Sequence, residues 1–75
     1  MWEQRMARLF GILGQLSPHS QITVRDLARE YEVSERTIQR DLRTLEDARL
    51  GIFQEHEKIK ISRIGYRRIR SWMLG

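Results

Sequence analysis

The stretch Ser34–Arg49, SERTIQRDLRTLEDAR, constrains the fold of this 75-residue chain more than any other. Serine is a favoured N-cap, because its hydroxyl accepts a hydrogen bond from a backbone N–H left unpaired at a helix start. Counting about 100° per residue, Ile38, Leu42 and Leu45 fall on one side of the helix that follows, with Ala48 near the edge of the stripe. Arg36, Arg40 and Arg43 fall on the other side, and Gln39 lies beside them. Guanidinium groups match phosphate oxygens and the O6/N7 edge of guanine, and an amide matches the N6/N7 edge of adenine. Charged outer faces are also common on ordinary solvated helices, so the neighbouring segments have to decide between the two readings.

Upstream, Thr23 followed by Asp26 is a near-match to a capping box, in which glutamate or glutamine is usual. The spacing predicts a helix over 24–31 with Val24, Leu27, Ala28 and Tyr31 inward. Tyr31, Glu32, Val33 and Ser34 then form a turn between two short helices, the helix-turn-helix pattern, with Val33 placed to plug the space between them. Ahead of it, residues 3–16 read as an amphipathic helix. Trp2, Met6, Leu9, Phe10, Leu13 and Leu16 have the spacing of a single buried face. Gly11 and Gly14 weaken that helix and leave room for a neighbour's backbone. Pro18 disfavours helical geometry at Ser17, so 17–20 is a loop, and Gln21–Ile22 a short extended piece. His19 in that loop has no visible partner for metal or acid–base work.

Downstream, Gly51 is available as the left-handed residue that closes the helix. Ile59 and Ile61 alternate with Lys58, Lys60 and Ser62, which predicts a half-buried strand. Its partner is Ile52 to Glu55, with a turn at His56 and Glu57. A hairpin after the outward-arginine helix is a wing, whose lysines are expected at phosphates beside the groove. The competing reading is a hairpin that only covers the core.

The segment ITVRDLAREYEVSERTIQRDLRTLEDARL resembles the winged helix-turn-helix of DeoR-type bacterial transcription regulators, through LA, then VS, then RTIQRDL at this spacing. It is most similar to the DNA-binding modules that precede WYL domains. The likeness runs from residue 4 to about 68 and is most specific from Val33 to Leu42. One departure is Glu32, where many relatives carry glycine; left-handed geometry there is costly for glutamate. The resemblance implies a mainly α fold, three helices and a C-terminal β-hairpin wing, in a cytoplasmic DNA-binding regulator. Residues 1–69 form that domain. Residues 70–75 are an apolar and basic tail, or the start of a linker to an effector domain outside this chain.

Charge agrees with a polyanion partner. The net charge is +4, and from Lys58 onward there are six basic residues and no acidic ones, against eight basic and ten acidic before it. A basic end on a mildly acidic body points to a nucleic-acid-facing surface. The chain has no cysteine, so thiolate metal sites and disulfides are excluded. No membrane span or signal pattern is present. Catalysis needs a nucleophile or acid–base pair in a pocket; none is visible, and neither metal nor cofactor is expected. Asp41, at the border of the apolar stripe, is expected to accept hydrogen bonds from an arginine or a backbone N–H.

Double-stranded DNA is therefore the expected partner. Thr23, Ser34 and Thr37, at helix starts, are expected at phosphates. Arg36, Gln39 and Arg40 are expected at base edges, Arg43 at a base or the far phosphate, and Lys58 and Lys60 on the backbone. The alternative is a winged helix used for protein interaction, which leaves the outward arginines without a role. RNA binding explains the charge, but the aromatics sit on apolar stripes and offer no stacking platform. A single recognition helix reads few base pairs, so a homodimer is expected, through the first helix or the Trp72–Leu74 tail. Tyr66, Ile69, Trp72, Met73 and Leu74 either fold back on the first helix or make a protein contact. The expected core is Leu9, Leu13, Leu27, Ala28, Val33, Ile38, Leu42 and Leu45, in helices near 3–16, 24–31 and 35–49 and a hairpin over 52–64.

Overall fold

Hydroxyl caps set where the inner helices begin. In the computed structural model, which describes residues 2–74 and the side chains of 4–72, Thr23 starts α2 (Val24–Tyr31) and Ser34 starts α3 (Glu35–Asp47). The Thr23 hydroxyl accepts from the Asp26 N–H while the Asp26 carboxylate accepts from the Thr23 N–H, both halves of a capping box. These bonds, the backbone one first, hold Asp26 below the usual carboxylate range. Ser34 accepts from the Thr37 N–H at 3.0 Å. A third hydroxyl, not anticipated, acts in the same way. Ser62 accepts from the Gly65 N–H at 3.1 Å and opens α4 (Arg63–Leu74).

The element order is α1 (Trp2–Gln15), α2, α3, β1 (Ile52–Glu55), β2 (Lys58–Ile61) and α4. This is a mainly helical winged helix with four helices where three were expected. Helix α4 is continuous across residues 69 and 70, so the stretch expected as a tail is helical through Leu74. Its Ile69 enters the core and Tyr66 packs against it. Gly65 allows the approach, because a Cβ there would collide with the Leu50 carbonyl. No helix among the described residues is long and apolar enough to cross a membrane.

The turn between α2 and α3 keeps left-handed geometry without glycine. Glu32 adopts φ 55°, its N–H donates to Arg29 O, and the Val33 N–H donates to Ala28 O at 3.0 Å. This is the paired bonding of a Schellman motif. At the end of α3 the left-handed residue nearest the helix is Arg49, at φ 59°, whereas Gly51 was expected there. Gly51 also has a positive φ, 76°, but serves the entry to β1, where its carbonyl accepts from the Ser62 N–H.

The core is Ile12, Leu13, Leu16, Val24, Leu27, Ala28, Ile38, Leu42, Leu45, Leu50, Ile52, Ile59, Ile61 and Ile69. Six of the eight expected core residues are in it, and Leu9 and Val33 are half-buried against it. The expected buried stripe of α1 is rotated. Ile12 is fully buried, whereas Met6 and Phe10 are 40% and 60% exposed. The Leu9–Leu13–Leu16 side faces the core, and the Met6–Phe10 edge is left to solvent. The side chains of Trp2, Met73 and Leu74 lie outside the described residues. Gly11 makes room for the Tyr31 hydroxyl end of α2, not for a backbone.

The wing is an antiparallel hairpin with Ile52 opposite Ile61 and Glu55 opposite Lys58. Its turn is at His56 and Glu57, both left-handed. The loop after α1 lies along the outer edge of β2: the Ile59 N–H donates to Ile22 O at 2.8 Å and the Ile61 N–H to Ser17 O at 3.3 Å. That loop overturns one expectation. Lys60 is only 8% exposed, and its ammonium donates to Ser20 O at 2.9 Å. Ile59 and Ile61 are buried as expected, but β2 is not half-buried, because Lys60 between them is covered by a segment forty residues earlier in the chain.

Candidate nucleic-acid interface

A helix presents one face only if its other face is held. Ile38, Leu42 and Leu45 anchor α3 in the core, and Asp41, 1% exposed, is tied to α1. Arg8 donates to Asp41 through Nε at 2.5 Å and through Nη2 at 3.1 Å, a two-pronged pairing. This hydrogen bonding outweighs partial burial and raises the pKa of Arg8. Asp41 thus accepts from an arginine, as its border position suggested, and fixes the rotation of α3 about its own axis. Removing either partner would leave the other without its main counter-charge.

With that rotation fixed, Arg36, Gln39, Arg40 and Arg43 are all exposed on the outer face of α3. Ser34 is exposed and Thr37 half-buried at the helix start, their hydroxyl oxygens 3.0 Å apart. Thr23 is half-buried at the start of α2. Both helix starts therefore present hydroxyls and unpaired N–H groups of the kind that favour anions. Lys58 is half-buried on the wing, directly across from Glu55. Lys60 is the one expected site residue drawn away from this surface, by its bond to Ser20.

Two clefts flank the outer face of α3. On the wing side, Thr23, Val24, Arg25, Glu35, Gln39, Gln54 and Glu57 line a cleft of about 410 Å³. On the α1 side, Arg5, Arg8, Thr37, Arg40 and Asp41 line one of about 240 Å³. Arg25 and Gln54 were not singled out from the sequence, although Arg25 falls in the first turn after a recognised cap. Arg5 was also missed. Its Nη2 donates to the Thr44 hydroxyl at 2.8 Å, and Thr44 is 39 residues away, so no local pattern marks the pair.

Taken together, α2, the left-handed turn and α3 form a helix-turn-helix with an arginine-rich outer face, followed by a wing. A family model described as an HTH domain matches residues 8–67. No curated protein and no solved structure matches the chain.

Proposed function

The chain belongs to the HTH domain family, and from that premise of a DNA-binding helix-turn-helix we propose that it reads duplex DNA sequence-specifically, with α3 in the major groove. The observation that carries this is the exposed face of Arg36, Gln39, Arg40 and Arg43 on a helix locked by Asp41 and its apolar stripe. Arg36, Gln39 and Arg40 meet base edges, where a bidentate pair discriminates by about 1–3 kcal/mol. Arg43, one turn on, meets a base or the far phosphate. The helix-start hydroxyls of Thr23, Ser34 and Thr37 hold phosphates and set the register. Lys58 supplies the wing's backbone contact. Lys60 has a structural role instead, holding the loop at Ser20 against the wing.

The role is that of a cytoplasmic bacterial transcription regulator, or of its DNA-binding module, of the DeoR type that precedes WYL domains. The LA, VS and RTIQRDL segments support that finer placement. The resemblance to WYL-associated modules implies an effector domain outside this chain. A homodimer brings two α3 helices to half-sites about 34 Å apart. The exposed Met6 and Phe10 on α1 and Trp72 on α4 supply apolar surface for it. The same residues favour the second reading, a winged helix that binds protein without base readout. Fluorescence-anisotropy titrations separate the two. Submicromolar, salt-sensitive binding to a selected duplex supports DNA reading, and equal, weak binding to duplex DNA and single-stranded RNA contradicts it. Sedimentation that finds a monomer both free and on a palindromic duplex removes the dimer.

A further inference from the structure

A helix about 10–12 Å across fills a major groove about 12 Å wide. Both flanks of a recognition helix therefore face a sugar–phosphate backbone. Thr37 and Thr44 lie roughly a quarter-turn to one side of the Arg36–Arg40–Arg43 direction, and Glu35 and Gln39 roughly a quarter-turn to the other, at about 100° per residue. On the wing flank the proposed backbone contact is Lys58 of β2. The opposite flank is closed by α1, and what α1 presents there is arginine.

We propose that the cleft between α1 and α3 takes one DNA backbone phosphate, with Arg5 as its clamp and the Thr37 hydroxyl beside it. The proposal rests on α3 entering the major groove. The cleft of about 240 Å³ is lined by the guanidinium-bearing residues Arg5, Arg8 and Arg40, with Thr37 and the single carboxylate Asp41. That carboxylate is already engaged by both prongs of Arg8. Arg5 reaches it only at 3.7 Å and keeps 49% of its side chain exposed. Arg5 is nonetheless oriented, because one of its five N–H donors is on Thr44. Among the described residues the ion pairs are those of Asp41 with Arg5 and Arg8, so Arg40 adds a further uncompensated charge. The cleft is thus a held, net-positive pocket at the edge of the reading face, where the phosphate arrives. The contact carries no sequence information.

The test is salt-dependent binding by wild type, Arg5→Gln and Arg5→Lys to the preferred duplex and to random DNA. Losing one phosphate contact should flatten the log–log salt slope by about 0.9 for Arg5→Gln on both duplexes. Its affinity deficit should shrink about 3.5-fold between 50 and 200 mM salt, the share of one contact on that slope. Arg5→Lys should keep the wild-type slope. A wild-type slope for folded Arg5→Gln overturns the clamp; if Arg36→Ala still loses specific binding, the reading of α3 survives it. No loss for Arg36→Ala either would sink the groove reading itself. Ethylation interference on wild type gives a check that needs no variant. Blocked phosphates on both strands beside the α3 site support the clamp, and blockage on the wing-side strand alone overturns it.

Discussion

Arg8→Met should remove a large share of the stability of this domain, although Arg8 lies near its surface. The substitution keeps the aliphatic stem and deletes the guanidinium that makes two hydrogen bonds to Asp41, whose side chain is 2% exposed. Breaking a buried pair by removing one partner costs about 3–5 kcal/mol, because the remaining charge is left uncompensated. The lower end applies here, since Arg8 is 16% exposed and Arg5 stands 3.7 Å from Asp41 as a partial substitute. A chain of this size has roughly 4–11 kcal/mol of total stability, so about 3 kcal/mol is a large share of it. At about 4–8 °C per kcal/mol, Tm falls by about 12–24 °C. Urea unfolding followed by far-UV circular dichroism reads the loss directly. The double variant Arg8→Met/Asp41→Ala, which leaves no unpaired buried carboxylate between α1 and α3, should be more stable than Arg8→Met alone. An Arg8→Met protein within about 1 kcal/mol of wild type, or a double variant less stable than the single, refutes the pairing as the lock between α1 and α3.

Three further outcomes follow from the backbone and the caps. Gly65→Ala drives a methyl into the Leu50 carbonyl and should cost about 1–3 kcal/mol in a urea titration. Glu32→Gly should stabilise by about 0.5–1 kcal/mol, because relief of left-handed strain of about 1–2 kcal/mol exceeds the added freedom of the unfolded chain; thermal melts check it. Asp26 is held below its ordinary value by Thr23, so its contribution is present at neutral pH and lost as pH falls through the folded value, below about 4. Asp26→Asn should remove that acid-dependent share, visible as a flatter fall in urea midpoint with decreasing pH.

What was legible in the chain was what neighbours in sequence decide. Ser34 and Thr23 announce their helices because a cap acts across three residues, and Ile38, Leu42 and Leu45 share a face because helical period acts across four. Ser62 carries the same capping signal, but Gly65 in the first turn and the absence of an acidic residue there masked α4. What was not legible depends on distant segments. Lys60 looks like an outward wing lysine until the loop at Ser20 meets it, and Arg8 looks like an ordinary surface arginine until Asp41 meets it across 33 residues. The misplaced edge of α1 has the same origin. Met6 and Phe10 fit the periodic stripe, but whether an edge is covered depends on packing partners, which periodicity does not contain. Glu32 is instructive in another way. Its residue type disfavours the left-handed turn, yet the bonds to Ala28 and Arg29 hold it there.

Whether α3 reads bases is decided by Arg40→Ala, measured on two duplexes. Anisotropy titrations on the preferred site and on random DNA, with circular dichroism to confirm the fold, give both affinities under one salt condition. Arg40 should cost about 1–3 kcal/mol on the preferred site and relax discrimination at one base pair, with a much smaller loss on random DNA. Equal losses on both duplexes would show that Arg40 touches only phosphate, and that the outer face of α3 does not read sequence there.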